Sequence, residues 1–250
     1  MRRLALLAIL AVLAGCGGSS NSNEPPRLVV TAASSLRNAF ADYGNQFHAA
    51  KVRLSFGGSD ELAAQIRAGA PVDVFAAANT ELPDQLFAEG EVEQPVIFTA
   101  NELVLAVPKG ENRVKQLDDL MKSGVKLGIG AKDVPVGTYT RKVLDGLPEL
   151  DRNRILANVK TEEPDVAGIV GKLTQGAVNA GFIYVTDVKA ASRSLHAIRL
   201  PSNLQPTAVY EAAIVKGTKH RGEAQQFLDG LVSGQGQDAL RRAGFLPLPK

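Results

Sequence analysis

Short apolar runs alternate with stretches of helical period from residue 27 to the end of the chain. The predicted strands are RLVV (27–30), VRLSF (52–56), VDVFAAA (72–78), ELVLAV (102–107), VKLGIG (125–130), AGFIYV (180–185) and YEAAIV (210–215). Apolar residues that recur every three or four positions predict helices at 36–49, 61–68, 81–89, 114–121, 137–147, 166–175, 224–231 and 236–245. This alternation indicates an α/β protein whose mostly parallel sheets are flanked by helices.

Two long extended stretches, 95–110 and 204–217, interrupt this pattern without a helical period. A chain that leaves one α/β unit by one such stretch and returns by the other forms two lobes on a two-strand hinge, which suits closure around a ligand. We predict a discontinuous first lobe, 27–101 with 211–250, and a continuous second lobe, 102–210. The ligand cleft is expected between the two lobes.

Residues 1–15 have the build of a secretory signal, because MRR is followed by an uncharged apolar run that is too short to span a membrane. The run ends in LAGC, which resembles the lipobox of bacterial lipoproteins. Cleavage would leave Cys16, the only cysteine, as a lipid-bearing N-terminus, and 16–26 would form a flexible tether. We expect an extracytoplasmic protein held at the membrane by this lipid alone; a coincidental cysteine behind an ordinary signal is the alternative.

The charge balance of the mature chain argues against nucleic acid as a partner. Without Arg2 and Arg3, 26 basic residues of the original 28 face 26 acidic ones. A nucleic-acid binder normally shows a basic excess or stripe, so we expect no such partner.

Signals of catalysis are also weak. The histidines are far apart in the sequence, at His48, His196 and His220. The serine of GGSDE is not in a G-x-S-x-G nucleophile elbow, because Glu61 occupies the last position. No nucleotide motif is complete, so we predict no cofactor.

Two serines stand where a predicted strand changes into a predicted helix. Ser35 lies in AASSLRNAF, and Ser59 lies in SFGGSDELAAQI after a glycine pair. Neither serine is followed three residues later by Glu or Gln, so neither belongs to a capping box. Free N–H groups and the dipole make a helix N-terminus attractive to anions. The junctions alone leave each serine as either a helix cap or an anion ligand.

Two further junctions and a tyrosine extend the pattern. VPVGTYTRKVL and EPDVAGIV each enter a predicted helix and offer the backbone N–H groups of Val136 and Val166. Tyr184 ends the strand in GFIYVTD, where its hydroxyl can face a cleft. Taken alone, Tyr184 also fits a core tyrosine with a paired hydroxyl.

The ordered set AASSL, SFGGSDELAAQIRAGAPVDVF, VPVGTYTRKVL, EPDVAGIV and GFIYVTD resembles the periplasmic molybdate-binding proteins of ABC importers. The similarity runs over essentially the whole mature chain, and LAAQIRAGAPVDVFAAAN is its most diagnostic part. It implies the two-lobed periplasmic-binding-protein fold of type II. It also implies non-enzymatic capture of molybdate, and of tungstate, by a monomer that delivers the anion to an ABC permease and its ATPase.

The resemblance further implies which groups hold the oxyanion: the side chains of Ser35, Ser59 and Tyr184, and the backbone amides of Val136 and Val166. Molybdenum would be held only through the oxygens of molybdate, without a bond from the protein to the metal. Ser34 is interpreted as a small residue packed where the strand ends.

Asp60 departs from the pattern, because many relatives carry a small residue after the loop serine. An inward carboxylate about 5 Å from a dianion would cost on the order of 6 kcal/mol at an effective dielectric of about 20. We therefore expect Asp60 and Glu61 in the first helical turn with their side chains in solvent, where they complement the helix dipole.

Two alternatives stay open. The ligand is another tetrahedral oxyanion such as sulfate or phosphate, in which case an inward Asp60 would accept the proton of a protonated anion. The other alternative is a cleft hydrolase that uses Ser59 and Asp60, although no histidine or lysine base stands at a recognisable spacing.

Overall fold

The computed structural model describes residues 25–248. The predicted signal peptide at 1–15, the predicted lipid site at Cys16 and most of the tether at 16–26 lie outside the described residues. Within 25–248, the chain forms no helix that combines the length and the apolar character needed to cross a membrane.

Strands and helices alternate along most of the described chain. The strands are β1 (Arg27–Ala33), β2 (Lys51–Gly57), β3 (Val74–Ala77), β4 (Val96–Pro108), β5 (Leu127–Gly130), β6 (Val159–Glu163), β7 (Ala180–Tyr184), β8 (Leu195–Ile198) and β9 (Thr207–Ile214). The helices are α1 (Arg37–Gln46), α2 (Ser59–Arg67), α3 (Glu81–Glu89), α4 (Pro135–Asp145), α5 (Glu149–Leu156), α6 (Val166–Thr174), α7 (Val185–Ala190), α8 (Arg221–Ser233) and α9 (Gln235–Ala243). Short 3-10 turns cover Ser34–Leu36, Leu117–Met121 and Ser202–Leu204.

The strands follow the order β2-β1-β3-β9-β4-β7-β5-β6, and β8 also pairs with β4. Pairing is parallel among β2, β1 and β3 and among β7, β5 and β6, but antiparallel wherever β4 or β9 takes part. The first half of β4 pairs with β9, and its second half pairs with β7 and β8. The predicted α/β class is confirmed, and its parallel pairs lie away from the two long strands β4 and β9.

An aromatic cluster fixes α1 against α8. The rings of Tyr43 and Phe227 have centroids 4.6 Å apart, and Phe40 and Phe47 meet Phe227 edge-on at 5.7 and 5.4 Å. Such pairs contribute about 0.5–1.5 kcal/mol each beyond the area they bury. This packing fixes the position of α1, and with it the turn that carries Ser34 and Ser35.

Several predicted elements differ from the structure. A helix at 114–121 is wrong, because only the 3-10 turn Leu117–Met121 forms there. Strands β6 and β8 and helices α5 and α7 were not among the predicted elements. In β6 every side chain is exposed or half-buried, and α5 buries only Ile155, so neither carries the apolar pattern that identifies a packed element.

Glu211 is a buried carboxyl in the middle of β9. It lies opposite Ala77 of β3 and Ile97 of β4, and its Oε2 has no hydrogen-bond partner among the described residues. Burial, with a smaller contribution from Asp84, raises the pKa of Glu211 from 4.5 to about 7. Below about pH 7, the folded protein therefore holds Glu211 mostly in its protonated form.

This raised pKa predicts a pH-dependent stability. The folded state holds the Glu211 proton more tightly than the unfolded state, so the contribution is complete below pH 4.5 and is lost as the pH rises through about 7. Glu211→Gln should therefore lose less unfolding free energy than the wild type between about pH 5 and about pH 8. Urea unfolding at both pH values measures this, with exposed Glu149→Gln as the control. Equal losses in the wild type and Glu211→Gln would contradict the assignment.

Candidate anion-binding site

A small cavity of about 20 Å³ lies where strands from both parts of the sheet end and the following helices begin. Its lining residues are Ala33, Ser34, Ser35, Gly57, Gly58, Ser59, Ala78, Val134, Pro135, Val136, Asp165, Val166 and Tyr184. The volume admits one compact group and is far below the roughly 300–1,000 Å³ of pockets for drug-sized ligands. The structure thus brings Ser35, Ser59, Val136, Val166 and Tyr184 together around one cavity.

Neither serine is a helix cap. Ser35 lies inside the 3-10 turn that precedes α1, and Leu36 is the N-cap of that helix. Ser59 is the first residue of α2, whose N-cap is Gly58, and no side chain caps either helix. The capping alternative is therefore wrong for both residues, and their hydroxyls are available for other partners.

Each of the two serines has one hydrogen-bond partner behind it. Ser35 Oγ lies 2.9 Å from the hydroxyl of Tyr210. Ser59 Oγ accepts a hydrogen bond of 3.2 Å from the backbone N–H of Ala78, which follows β3. Both serines are buried, as is Ser34, which also lines the cavity. The interpretation of Ser34 as a packing residue alone is thus incomplete, because it faces the same space.

The second part of the sheet contributes two helix first turns. Val136 is the second residue of α4, and Val166 is the first residue of α6, so the N–H groups of both are among those that an α-helix leaves unpaired. Their side chains are buried in the core, which fixes the backbone at the cavity wall. Asp165 also lines the cavity, but its carboxylate caps α6 by accepting from Gly168 N–H at 2.8 Å.

Tyr184 supplies a phenol with a free proton. It ends β7, its side chain is buried, and its hydroxyl has no hydrogen-bond partner among the described residues. Burial raises its pKa well above the ordinary value, with smaller effects from Tyr210 and Tyr139, so the group stays a neutral donor. Its ring packs edge-on against Tyr210, with centroids 6.0 Å apart. The expectation of a merely structural, paired tyrosine is therefore not met.

Two glycines allow the close approach that this site requires. A Cβ on Gly58 would overlap the carbonyl oxygen of Pro164, which precedes α6. A Cβ on Gly137 would overlap the carbonyl oxygen of Ala131 in the loop before α4. At Gly58, backbone from the two parts of the sheet thus meets at a distance that only glycine permits, whereas the Gly137 contact lies within the second part.

The lining is rich in donors and carries no formal positive charge. None of the described residues that line the cavity is a lysine or arginine, and Asp165, the only acidic one, is used as a cap. Helix N-termini converge on the space, and each presents partial positive charge. A small acceptor-only anion is the ligand that satisfies such a wall.

Asp60 is placed differently from the expectation. It lies in the first turn of α2 and outside the cavity lining, and Glu61 beside it is exposed, as predicted. The prediction that Asp60 turns to solvent is only partly right, because the residue is half-buried and its Oδ1 is buried without a hydrogen-bond partner in the described chain. Burial raises its pKa, and the nearby N–H groups of Asp60 and Glu61 partly oppose the rise.

Of the two residues considered for a hydrolase, Ser59 lines the cavity and Asp60 does not. None of the three histidines lines the cavity, and Ser59 is bonded to a backbone N–H. Within 25–248 there is also no cluster of three or more His, Cys, Asp or Glu side chains arranged to hold a metal ion.

Two residues outside the cavity wall support it, and the sequence analysis did not identify them. Tyr210 lies in β9 and Asn101 in β4, and both are fully buried in contact with Ser35 or with each other. Tyr210 is separated from Ser35 by 175 positions. Only its place in a predicted hinge strand marked it, so no local signal identified the contact.

Comparison with known proteins gives a match over nearly the whole chain. The family described as bacterial extracellular solute-binding protein matches residues 28–246. The molybdate-binding protein ModA of Mycobacterium tuberculosis H37Rv is 30% identical, with 95% of this chain and 94% of that protein covered. ModA of Escherichia coli K12 is 29% identical, with 97% of each chain covered. The putative ABC transporter substrate-binding lipoprotein YvgL of Bacillus subtilis is 27% identical, with 97% of this chain and 96% of that protein covered.

Solved structures share the fold. The periplasmic molybdate-binding protein of Azotobacter vinelandii superposes with a TM-score of 0.78 at 24% identity, covering 89% of this chain and 100% of the other. The sulfate-binding protein SubI of M. tuberculosis H37Rv gives 0.78 at 17% identity, covering 89% and 87%. The predicted two-lobed periplasmic-binding fold is confirmed by these matches.

The unpaired hydroxyl of Tyr184 predicts an unusual response to its removal. A buried polar group without a partner costs about 1–3 kcal/mol, so Tyr184→Phe should leave the ligand-free protein as stable as the wild type or more stable. Tyr43→Phe is the matched control, because its hydroxyl donates to the carbonyl oxygen of Phe227 at 3.1 Å and its loss should destabilise by about 1 kcal/mol. Urea unfolding measures both variants. A loss in Tyr184→Phe as large as in Tyr43→Phe would show that the Tyr184 hydroxyl is paired.

Proposed function

Because the chain belongs to the bacterial extracellular solute-binding proteins, as a member of the ModA type, we propose that it captures molybdate, and also tungstate, and delivers it to an ABC importer. The observation that carries the proposal is the cavity wall, which is rich in hydroxyl and amide donors and has no lysine or arginine among its described residues. A fully ionised tetrahedral oxyanion has four acceptor oxygens and no proton, so a wall of hydroxyl and amide donors satisfies it completely.

The binding roles follow from the positions of the five groups. Ser35 and Ser59 donate their hydroxyl protons from one side of the cavity, and the amides of Val136 and Val166 donate from the other. Tyr184 donates its phenol proton from the end of β7. Hydrogen bonds to a charged acceptor are about twice as strong as neutral ones, so these donors offset the dehydration of the anion.

Neutralisation by dipoles also explains reversible binding. No lysine or arginine lines the described cavity, so no ion pair has to be broken when the anion leaves. Helix N-termini contribute partial charges that stay in place whether or not the anion is bound. The protein acts in this view as a carrier without catalysis or cofactor.

Selection against phosphate follows from the same wall. A monoprotonated anion needs one acceptor, but Asp60 lies outside the cavity lining, and the carboxylate of Asp165, which lines it, already accepts from Gly168 N–H. Sulfate is fully ionised and meets the same donors, so size must separate it from molybdate. Because the donors are fixed on two closed lobes, they cannot move closer to the oxygens of a smaller anion.

Delivery requires two lobes and a membrane partner. The proposed lobes are 27–101 with 211–250 and 102–210, hinged at β4 and β9, and their closed form would dock on the permease and its ATPase. A lipid on Cys16 would hold the monomeric protein at the outer face of the membrane, with 16–26 as the tether. Domain boundaries, anchor and oligomeric state are parts of the proposal.

The first test is ligand binding by the purified mature protein. Thermal unfolding with molybdate, tungstate, sulfate and phosphate should show stabilisation by the first two, by about 2.7 kcal/mol at a hundredfold excess over Kd.

The second test concerns the two serines. Ser35→Ala and Ser59→Ala should each weaken molybdate binding by about 1–3 kcal/mol, because each removes a charge-assisted hydrogen bond. Exposed Ser202→Ala is the control for these two variants.

The outcomes are distinct. A response to phosphate or sulfate alone would replace the ligand but keep the site. Unchanged affinity in both serine variants would contradict the site assignment even if molybdate binds.

The close contact at Gly58 makes a third test. Gly58→Ala places a methyl group against Pro164 O, so the two sides of the cavity must separate. Such overpacking costs about 1–3 kcal/mol, which is roughly a 5- to 150-fold loss of molybdate affinity. Gly171→Ala is the matched control in α6, where a Cβ meets only the far end of Gln175 at 3.9 Å. Isothermal titration compares them, and equal affinity in the two variants would show that the Gly58 contact does not limit closure.

A further inference from the structure

A chain of buried polar groups lies behind Ser35, outside the cavity wall. The hydroxyl of Tyr210 is 2.9 Å from Ser35 Oγ, and Asn101 Nδ2 makes a long contact of 3.5 Å to the same phenol oxygen. Asn101 Nδ2 also donates to Thr186 Oγ1 at 2.9 Å. All of these groups are buried, so water does not compete freely for their hydrogen bonds.

Asn101 fixes one step in the direction of this chain. The backbone N–H of Glu102 lies 2.9 Å from one terminal atom of the Asn101 amide, and because N–H only donates, that atom is Oδ1. The other terminal atom is then the NH₂ group, which only donates. It faces Thr186 and Tyr210, so the phenol oxygen of Tyr210 is the acceptor in its contact with Asn101.

We infer that Tyr210 is a positioning residue that donates its single proton to Ser35 Oγ and thereby directs the Ser35 proton into the cavity. The inference rests on the proposed function, because it concerns the serine that is proposed to bind the oxyanion. The Ser35 oxygen then accepts a hydrogen bond from Tyr210, and the Ser35 proton faces the cavity. The hydroxyl is oriented before the anion arrives.

Ser59 has the same arrangement with a simpler donor. The N–H of Ala78 occupies the oxygen of Ser59, so the Ser59 proton is also left for the cavity. Each serine thus accepts from a protein group behind it and keeps its own proton for the cavity. A protein donor already uses one lone pair of each serine oxygen, which disfavours a monoprotonated oxyanion relative to a fully ionised one.

Burial supports this role for Tyr210. Desolvation raises its pKa far above the ordinary value, so the phenol keeps the proton that it donates. Its ring packs edge-on against Phe98, Tyr184 and Phe245, at 5.4–6.3 Å between centroids. Tyr210→Phe retains this ring packing and removes only the hydroxyl, which makes it a specific test.

The test measures affinity and selectivity together. Isothermal titration of wild type and Tyr210→Phe with molybdate and with hydrogen phosphate, at about pH 8, gives two Kd values for each protein. We expect the molybdate Kd to rise about tenfold, because Ser35 is no longer oriented. The phosphate Kd should rise less or fall, because the Ser35 oxygen becomes free to accept the phosphate proton. The preference for molybdate over phosphate, measured as the ratio of the two affinities, should therefore fall in Tyr210→Phe.

A double-mutant cycle shows whether Tyr210 acts through Ser35. If it does, Ser35→Ala combined with Tyr210→Phe binds molybdate as weakly as Ser35→Ala alone, to within about twofold. Additive losses in the double variant would overturn the inference.

Two further variants complete the design. Tyr43→Phe also removes a buried tyrosine hydroxyl, bonded to Phe227 O, but lies outside the cavity lining, so its molybdate-to-phosphate ratio should equal that of the wild type. Asn101→Leu keeps the volume, removes the amide that sets the direction, and should narrow the ratio as Tyr210→Phe does. It carries the test if Tyr210→Phe does not fold.

Failure of the inference is distinguishable from failure of the proposed function. A wild-type protein that binds none of molybdate, tungstate, sulfate and phosphate overturns both. A wild-type protein that binds an oxyanion, with the Kd values and their ratio unchanged in Tyr210→Phe and Asn101→Leu, overturns the inference alone.

Discussion

An anion that is buried without a neighbouring cation must be held by dipoles and protons that already point at it, and this constraint organises the structure. Helix first turns provide N–H groups that no helix can pair internally. The ends of β1, β2, β5 and β6 bring such turns to one point. Close packing then requires glycine at Gly58, where a side chain would strike Pro164. Geometry therefore restricts the sequence at the ends of these strands, beside the packing of the core.

Much of the fold is predictable from apolar periodicity because buried elements carry it. The helix Glu81–Glu89 was predicted with its observed bounds, and the strand cores of both sheet parts were found. Elements at the surface were missed, since β6 and α5 bury too few side chains to leave a pattern. The opposite error occurred at 114–121, where apolar residues at helical spacing pack under a 3-10 turn instead. Apolar periodicity indicates which side chains are buried. It indicates secondary structure only where the buried side chains belong to a regular helix or strand.

The cavity residues were predictable in kind but not in arrangement. Serines and glycines at strand-to-helix junctions indicated anion contacts, and the family resemblance selected among them. Their partners were not predictable, because Tyr210 and Asn101 reach Ser35 through contacts between distant parts of the chain. Asp60 shows the same limit: its place in the first turn followed from sequence, whereas the burial of its carboxylate depends on neighbours that sequence position does not specify.

The buried groups behind the cavity wall affect selectivity through the orientation of the serine hydroxyl protons. A serine hydroxyl both donates and accepts, so a serine in an anion site favours a fully ionised anion when a protein donor already uses one of its lone pairs. Ala78 N–H does this for Ser59 directly, and Tyr210 is inferred to do it for Ser35. Tyr184, by contrast, has no hydrogen-bond partner among the described residues, and the proposed anion would compensate the desolvation of its hydroxyl. The hydroxyls of Ser35 and Ser59 are held in place by hydrogen bonds from behind the cavity. The hydroxyl of Tyr184 has no such hydrogen bond, so it would gain the most from pairing with the proposed anion.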